Sequence, residues 1–185
     1  MINKQRLQKI FLDLVKISSP PLNERLVADY IKAILSDLNL SVIEDNAGSK
    51  IGGNTGNLLC CIPGNRPDVP PIAIVTHMDT VIPCENIEPT FDGDVFRVKG
   101  ETVLGADDKA AVAEVLEFVY ILLESNIPHG DIEIVFTISE ETYMHGSKGF
   151  DIRNLKSKIA LILDEQGAPG SIVHAAPHLF TLDIT

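Results

Sequence analysis

Four places in this sequence gather side chains that hold metals or move protons: His77 with Asp79, Asp107 with Asp108, Glu140 with Glu141, and Asp164. Histidine offers a nitrogen lone pair, and aspartate and glutamate offer anionic oxygens. That donor set suits zinc, manganese or cobalt, and the residue types do not rank the three. A carboxylate shared by two ions about 3.5 Å apart is the core of a two-metal hydrolase. Adjacent glutamates allow a division of labour, because successive side chains diverge: one binds metal while its neighbour holds the attacking water and moves its proton. His77 and Asp79 are two residues apart, so on a strand they share a side, and Asp79 could hydrogen-bond the imidazole and fix which nitrogen faces a metal. Taken one at a time, these pairs also fit a polar rim or, for Asp107 and Asp108, a cap that complements a helix dipole.

What joins them is the kind of element each one ends or opens. Ile72 to Val75 is an apolar, β-branched run that reads as a buried strand and leads into Thr76, His77 and Asp79. Asp131 to Ser139 alternates Ile132, Ile134, Phe136 and Ile138 with more polar residues, a strand that ends in Glu140 and Glu141. Ile159 to Leu163 is a third such run, ending in Asp164. Between them, Leu104 to Ala110 opens a helix predicted to reach Ser125. Val112, Leu116, Val119 and Leu123 form one stripe of it, with Val115, Phe118 and Leu122 beside them, an apolar face wide enough for deep burial. Ligands of open α/β sheets collect at the carboxyl ends of strands, so these acids and His77 are expected to converge in one crevice. Carboxylates gathered there repel one another, and a metal site resolves the conflict.

Upstream, Leu7, Ile10, Phe11, Leu14 and Ile17 recur at helical spacing, and Asn23 is predicted to cap a second helix with Val27, Tyr30, Ile31, Ile34, Leu35 and Leu38 inward. Ser41 to Asp45 and Leu58 to Ile62 read as strands. Gly48 to Gly56 reads as a glycine-rich loop without the Lys-Ser/Thr ending of a phosphate loop, and Asp92-Gly93 as a hairpin turn. The expected fold class is α/β, a mixed, mostly parallel sheet with helices on both faces. The chain has 185 residues, with 15 Lys+Arg against 26 Asp+Glu and a net charge of −11. With no basic block, nucleic acid and anionic membranes are poor partners. Cys60, Cys61 and Cys84 are odd in number and lack zinc-knuckle spacing, so a reducing, cytoplasmic setting is expected, with Cys60 and Cys61 packed in the core. No apolar segment reaches the length of a membrane span.

The stretches His77-Met78-Asp79-Thr80-Val81, Gly105-Ala106-Asp107-Asp108-Lys109-Ala110, Glu140-Glu141 and Leu163-Asp164 resemble the motifs of the dinuclear zinc peptidases related to peptidase T and carboxypeptidase G. Gly52-Gly53-Asn54-Thr55-Gly56-Asn57-Leu58 resembles the peptidase T branch. The resemblance implies two divalent metal ions, zinc first, with manganese or cobalt as alternatives. It implies His77 on one ion, Asp79 orienting it, Asp107 bridging both ions, Glu140 as general base, Glu141 on the second ion and Asp164 beside His77 on the first. It also implies a cis peptide after Asp107. Carboxypeptidase and aminoacylase relatives usually carry glutamate at position 164, and the aspartate here resembles the branch acting on di- and tripeptides. Aminopeptidase action on short peptides is therefore the expectation, with aminoacylase or carboxypeptidase action as alternatives. Ser139 and Ala111 depart from residues frequent in the family without removing a ligand.

Members of that family resemble a catalytic domain interrupted by a lid or dimerisation domain, after which it resumes and supplies a last metal-binding histidine. On that pattern residues 1–176 form the N-terminal part of the catalytic domain and 177–185 begin the lid, leaving the fold incomplete at its C-terminus. A small peptide substrate and a homodimer through the lid are the partners implied. His129, His145, His174 and His178 are not assigned as the last ligand. The chain by itself is expected to be inactive, and a non-catalytic metal-binding or interaction domain is the alternative.

Overall fold

The computed structural model of the protein describes residues 1–165, 167–168 and 170–175. The expected start of a lid at 177–185, with His178, lies outside them. The helical periodicity near the N-terminus becomes α1 (Lys4–Val15) and α2 (Arg25–Asp37). Asn3 caps α1, accepting the Arg6 amide. The cap of α2 is Glu24 and not Asn23. The Asn23 amide closes a turn onto the Pro20 oxygen, and the Glu24 side chain turns inward to partners far along the chain.

The strands are β1 (Val42–Glu44), β2 (Leu58–Ile62), β3 (Ile72–His77), β4 (Glu88–Phe91), β5 (Phe96–Lys99), β6 (Ile132–Thr137) and β7 (Ala160–Ile162). Five of them form one sheet in the order β1-β2-β6-β3-β7. β2 is antiparallel to both its neighbours, and β3 is parallel to β6 and to β7. Four of the five strands therefore point the same way, the mixed, mostly parallel sheet that was expected. His77 pairs with Thr137 and Val75 with Ile162, so β3, β6 and β7 end on one edge. β4 and β5 form a separate hairpin around Asp92-Gly93. Phe96 stacks on Phe91 at 4.4 Å and meets Phe11 of α1 edge-on at 5.0 Å.

The long helix α4 (Ala106–Ser125) follows the hairpin. Its Val112, Leu116 and Val119 join Leu14 of α1, Ile31 of α2, and Leu58, Cys60, Ile74, Ile134 and Phe136 of the sheet in one core. The three long helices thus cover one sheet face. Towards the other, among the described residues, comes the segment carrying Lys156 and Ser157, whose amides donate to the buried Glu133 at 2.9 Å each. Strand alternation sends Cys61 to that second face, where it is exposed, while its neighbour Cys60 is buried as expected. Leu123, expected on the buried stripe, is 46% exposed.

Two short helices are not legible in the sequence, α3 (Ala47–Ile51), inside the stretch read as loop, and α5 (His145–Gly149). Contacts distant in sequence fix both. Asp45 accepts the amides of Ala47 and Asn57, and Asn57 in turn donates to the Gly146 oxygen and accepts the Ile138 amide. Among the described residues no helix is long and apolar enough to cross a membrane.

Candidate metal centre

His77 ends β3, and its side chain is buried. Nδ1 lies 2.9 Å from the main-chain oxygen of Asp79. A carbonyl only accepts, so Nδ1 carries a proton and Nε2 is the nitrogen presented to the acids, 3.1 Å from Asp107 Oδ1. Burial works against charge on the ring, but the hydrogen bond and charge of Asp79, with Asp108 and Asp164 behind them, outweigh it and push the pKa up to about 10. A divalent ion displacing the Nε2 proton would meet a lone pair already aimed. The orienting role expected of Asp79 is thus shared: its main-chain oxygen is the nearer partner of Nδ1, with Oδ1 at 3.4 Å. Its buried carboxylate also holds the turn after β6. Oδ1 accepts the Glu140 amide at 2.9 Å and Oδ2 the Glu141 amide at 3.0 Å.

α4 brings the second pair. Gly105 precedes it with φ +72°, a left-handed backbone that glycine adopts freely, and a Cβ there would sit 3.1 Å from Thr80 Cγ2. The Asp107–Asp108 peptide is cis, as the resemblance implied. Both residues have non-helical backbone angles, and neither side chain caps the helix. Instead Asp108 accepts hydrogen bonds from the Thr76 hydroxyl and, at 3.2 Å, from the His77 amide. Burial pushes its carboxyl up to about 7. Asp107 faces outward with a side chain 62% exposed. The next residue, Lys109, is wholly buried. Its ammonium donates to the Ile17 oxygen at 2.6 Å, tying the start of α4 to the segment that follows α1, and burial lowers its pKa to about 8.

Glu140 and Glu141 follow β6, and Asp164 follows β7. Around His77 two trios form, one with Asp107 and Asp164, the other with Glu140 and Glu141. Within each, one donor atom per residue lies within 4.8 Å of the others. The fold therefore brings His77, Asp79, Asp107, Glu140, Glu141 and Asp164 to one sheet edge. Asp107 and Glu141 fall in different trios. Among the described residues, His129, His145 and His174 join neither. Burial raises the pKa of Glu140, Glu141 and Asp164, His77 opposes it, and neighbouring acids add to it. Among the described residues no lysine or arginine pairs with these three or with Asp107, whose ionic partner is His77. One imidazole and several unpaired carboxylates are the donors a divalent cation seeks, and zinc, manganese and cobalt all fit. Beside them opens a cleft of about 820 Å³, lined by Asp107, Asp108, Glu114, Asp164 and Glu165 among others.

The sequence pattern of peptidase family M28 matches residues 57–173, more than half of the chain and all four motifs. The chain belongs to peptidase family M28. That family is metal-dependent, typically on zinc. The chain is 37% identical to the uncharacterized protein YqjE of Bacillus subtilis (strain 168), over 96% of this chain and 47% of that protein. It is 32% identical to peptidase T of Escherichia coli, over 60% of this chain and 35% of that one. Among solved structures, aminopeptidase PepT from Bacillus cereus matches with a TM-score of 0.86 and 36% identity, over 90% of this chain and 44% of that one. The expected kinship with peptidase T is borne out. The chain spans less than half the length of each of these relatives.

Three side chains around this M28 site have partners that the sequence does not show. Thr76 and Lys109 act through single hydrogen bonds to Asp108 and Ile17, and Glu24 reaches Ser139 across 115 positions. Only folding brings such partners together.

Proposed function

We propose that this chain carries the metal-binding and proton-transfer groups of a peptidase acting on short peptides from their amino end. The observation that supports this most is the pair of trios sharing an oriented His77, built from acids that no lysine or arginine among the described residues neutralises. His77, Asp107 and Asp164 would hold one divalent ion, and Asp107 with Glu141 would reach a second. Bound there, zinc, or manganese or cobalt in its place, would polarise the scissile carbonyl and lower the pKa of the attacking water. Glu140 takes the proton that water gives up and delivers it to the departing amine. Asp79 holds the amides of both glutamates and, through its main-chain oxygen, the ring of His77.

Residues 1–176 are proposed as part of the catalytic domain. The free thiols Cys60, Cys61 and Cys84 suit the cytoplasmic setting proposed with it. Glu140→Gln, made in a protein with the relatives' full span, tests the reading. The amide keeps the size of the side chain and leaves the Glu140 N–H on Asp79, but it cannot accept the proton. Zinc content should stay at the wild-type level while turnover of a tripeptide falls by about 10²–10⁴-fold. Undiminished turnover sinks the role of Glu140. Comparing tripeptides with free and acylated N-termini separates aminopeptidase from aminoacylase or carboxypeptidase action.

A further inference from the structure

Ser139, immediately before the two glutamates, is fully buried and stands in the left-handed region at φ +49°. Its amide and its hydroxyl both donate to a single oxygen of Glu24, Oε1, at 2.9 and 3.0 Å. The next two amides, those of Glu140 and Glu141, end on Asp79. Three consecutive N–H groups are therefore held by two buried carboxylates from distant parts of the chain.

Helix capping does not account for Glu24. It occupies the cap position of α2, yet its side chain makes no capping bond, and serine, aspartate or asparagine would serve that position better. It is wholly buried, and among the described residues its Oε2 has no hydrogen-bond partner. A buried carboxylate with one oxygen unpaired works against stability. Besides Ser139, Oε1 accepts only the Leu22 amide among the described residues, at 3.0 Å. Two of the three bonds that the Glu24 carboxylate accepts thus come from Ser139, in the turn that carries Glu140 and Glu141, and the Leu22 amide that gives the third also lies 3.1 Å from Ser139 Oγ. Ser139 needs such a hold, because an L-residue in the left-handed region relies on its surroundings to stay there.

We propose that Glu24 is a positioning residue: by fixing the amide and hydroxyl of Ser139 it sets the turn from which Glu140 and Glu141 reach the ion positions around His77. The inference rests on the peptidase reading of that site. Its test uses Glu24→Asp, which keeps the charge but withdraws the oxygen by about 1.5 Å, the length of one carbon–carbon bond. Leu35→Ala, in the buried face of α2, is the control for lost stability alone. Both are made in a protein of the relatives' full span. Melting temperature, zinc affinity by chelator competition, kcat and KM for a tripeptide, and amide exchange from β6 through Glu141 are measured for each.

Glu24→Asp should speed exchange at Ser139, Glu140 and Glu141 while the β6 amides stay protected. It should lower kcat or zinc affinity about 10–100-fold with KM unchanged. Leu35→Ala should lower the melting temperature and leave kcat and zinc affinity alone. Wild-type exchange at the turn in Glu24→Asp, or a loss no larger than that of Leu35→Ala, overturns the proposal. Should Glu24→Asp fail to fold, Ser139→Ala, which deletes one of the two bonds, must show the same local rise in exchange with a fall in kcat, and wild-type values there overturn it equally. A wild-type protein that neither binds zinc nor cleaves the tripeptide sinks the peptidase reading itself, and this inference with it, before any variant is compared.

Discussion

Replacing Asp79 by asparagine should be far more damaging than an isosteric change suggests. Both carboxylate oxygens are occupied as acceptors, Oδ1 by the Glu140 amide at 2.9 Å and Oδ2 by the Glu141 amide at 3.0 Å. Asparagine has one acceptor oxygen. Whichever way its amide is turned, the NH₂ group faces one of the two N–H donors, and the site is wholly buried. One charge-assisted bond is lost and a donor is left without a partner, at about 1.5–3 kcal/mol. At 1.36 kcal/mol per factor of ten, that is about tenfold to hundredfold in any equilibrium that needs the turn in place. Losing a partner that orients metal ligands typically weakens metal affinity by the same 10–100-fold. The imidazole should keep its tautomer, because the nearer partner of Nδ1 is the main-chain oxygen of residue 79, which asparagine retains. The assay is zinc affinity by competition with a chromophoric chelator, alongside the His77 tautomer from ring nitrogen shifts. Zinc affinity should fall by that factor with the tautomer unchanged. An Asp79→Asn protein that binds zinc as tightly as wild type would refute the reasoning, as would a changed tautomer with the turn amides still protected.

Gly146→Ala should destabilise the protein by about 1–3 kcal/mol or more through overpacking. Its Cβ would lie 2.1 Å from the Ile138 oxygen and 2.6 Å from Asn57 Oδ1, and a wild-type denaturation midpoint would show that the chain absorbs the clash. Glu44 predicts an acid limb in stability. The bond from Arg25, opposed by burial and reinforced by Lys32, lowers its pKa from 4.5 to about 2. A depressed carboxylate contributes stability above its unfolded pKa and loses it as pH falls through the folded one, so the window is 4.5 down to about 2. The full shift corresponds to about 3 kcal/mol, and solvent screening of a cluster whose side chains are 25–34% exposed reduces this to about 1 kcal/mol. The melting temperature of Glu44→Gln should lie below wild type near neutral pH and converge with it on acidification. A gap that stays constant through the window contradicts the assignment.

The parts of the fold that rest on periodicity were legible in the sequence. β2 spans the predicted Leu58 to Ile62, and α4 ends at the predicted Ser125, because burial of one stripe or one strand face imposes a repeat that residue types display. The convergence of the acids was legible for a related reason, since parallel strands share an edge. What the sequence hides is whatever a distant partner decides. Asp107 and Asp108 suit a helix cap by residue type, yet Asp108 is claimed by Thr76 and His77 from a neighbouring strand. Asn23 looks the better cap for α2, but its amide closes a turn onto Pro20, the Glu24 side chain is bound inward to Ser139, and the helix begins after Glu24. Cys61 sits in an apolar run and still faces solvent, because alternation and sheet coverage, not local hydropathy, set its side.

The acids of this chain sort by what satisfies their charge, and the sorting bears on the metal reading. Elsewhere on the surface several acids find bases: Asp13 meets Lys9, Asp68 meets Arg66, Asp131 meets Lys156 and Asp151 meets Arg153. At the sheet edge the pattern divides in two. The buried acids end on backbone amides, Glu24 on Leu22 and Ser139, Asp79 on Glu140 and Glu141, and Asp108 on His77. Every one of those amides except that of Leu22 belongs to a residue of the site or its immediate neighbour. Asp107, Glu140, Glu141 and Asp164 share one imidazole among four carboxylates. An acidic excess kept only for solubility would be spread out in solvent. Here Asp79 and Glu24 hold the backbone of the turn that carries Glu140 and Glu141, two trios of donors meet at His77, and a divalent cation is the partner that would make such an arrangement favourable.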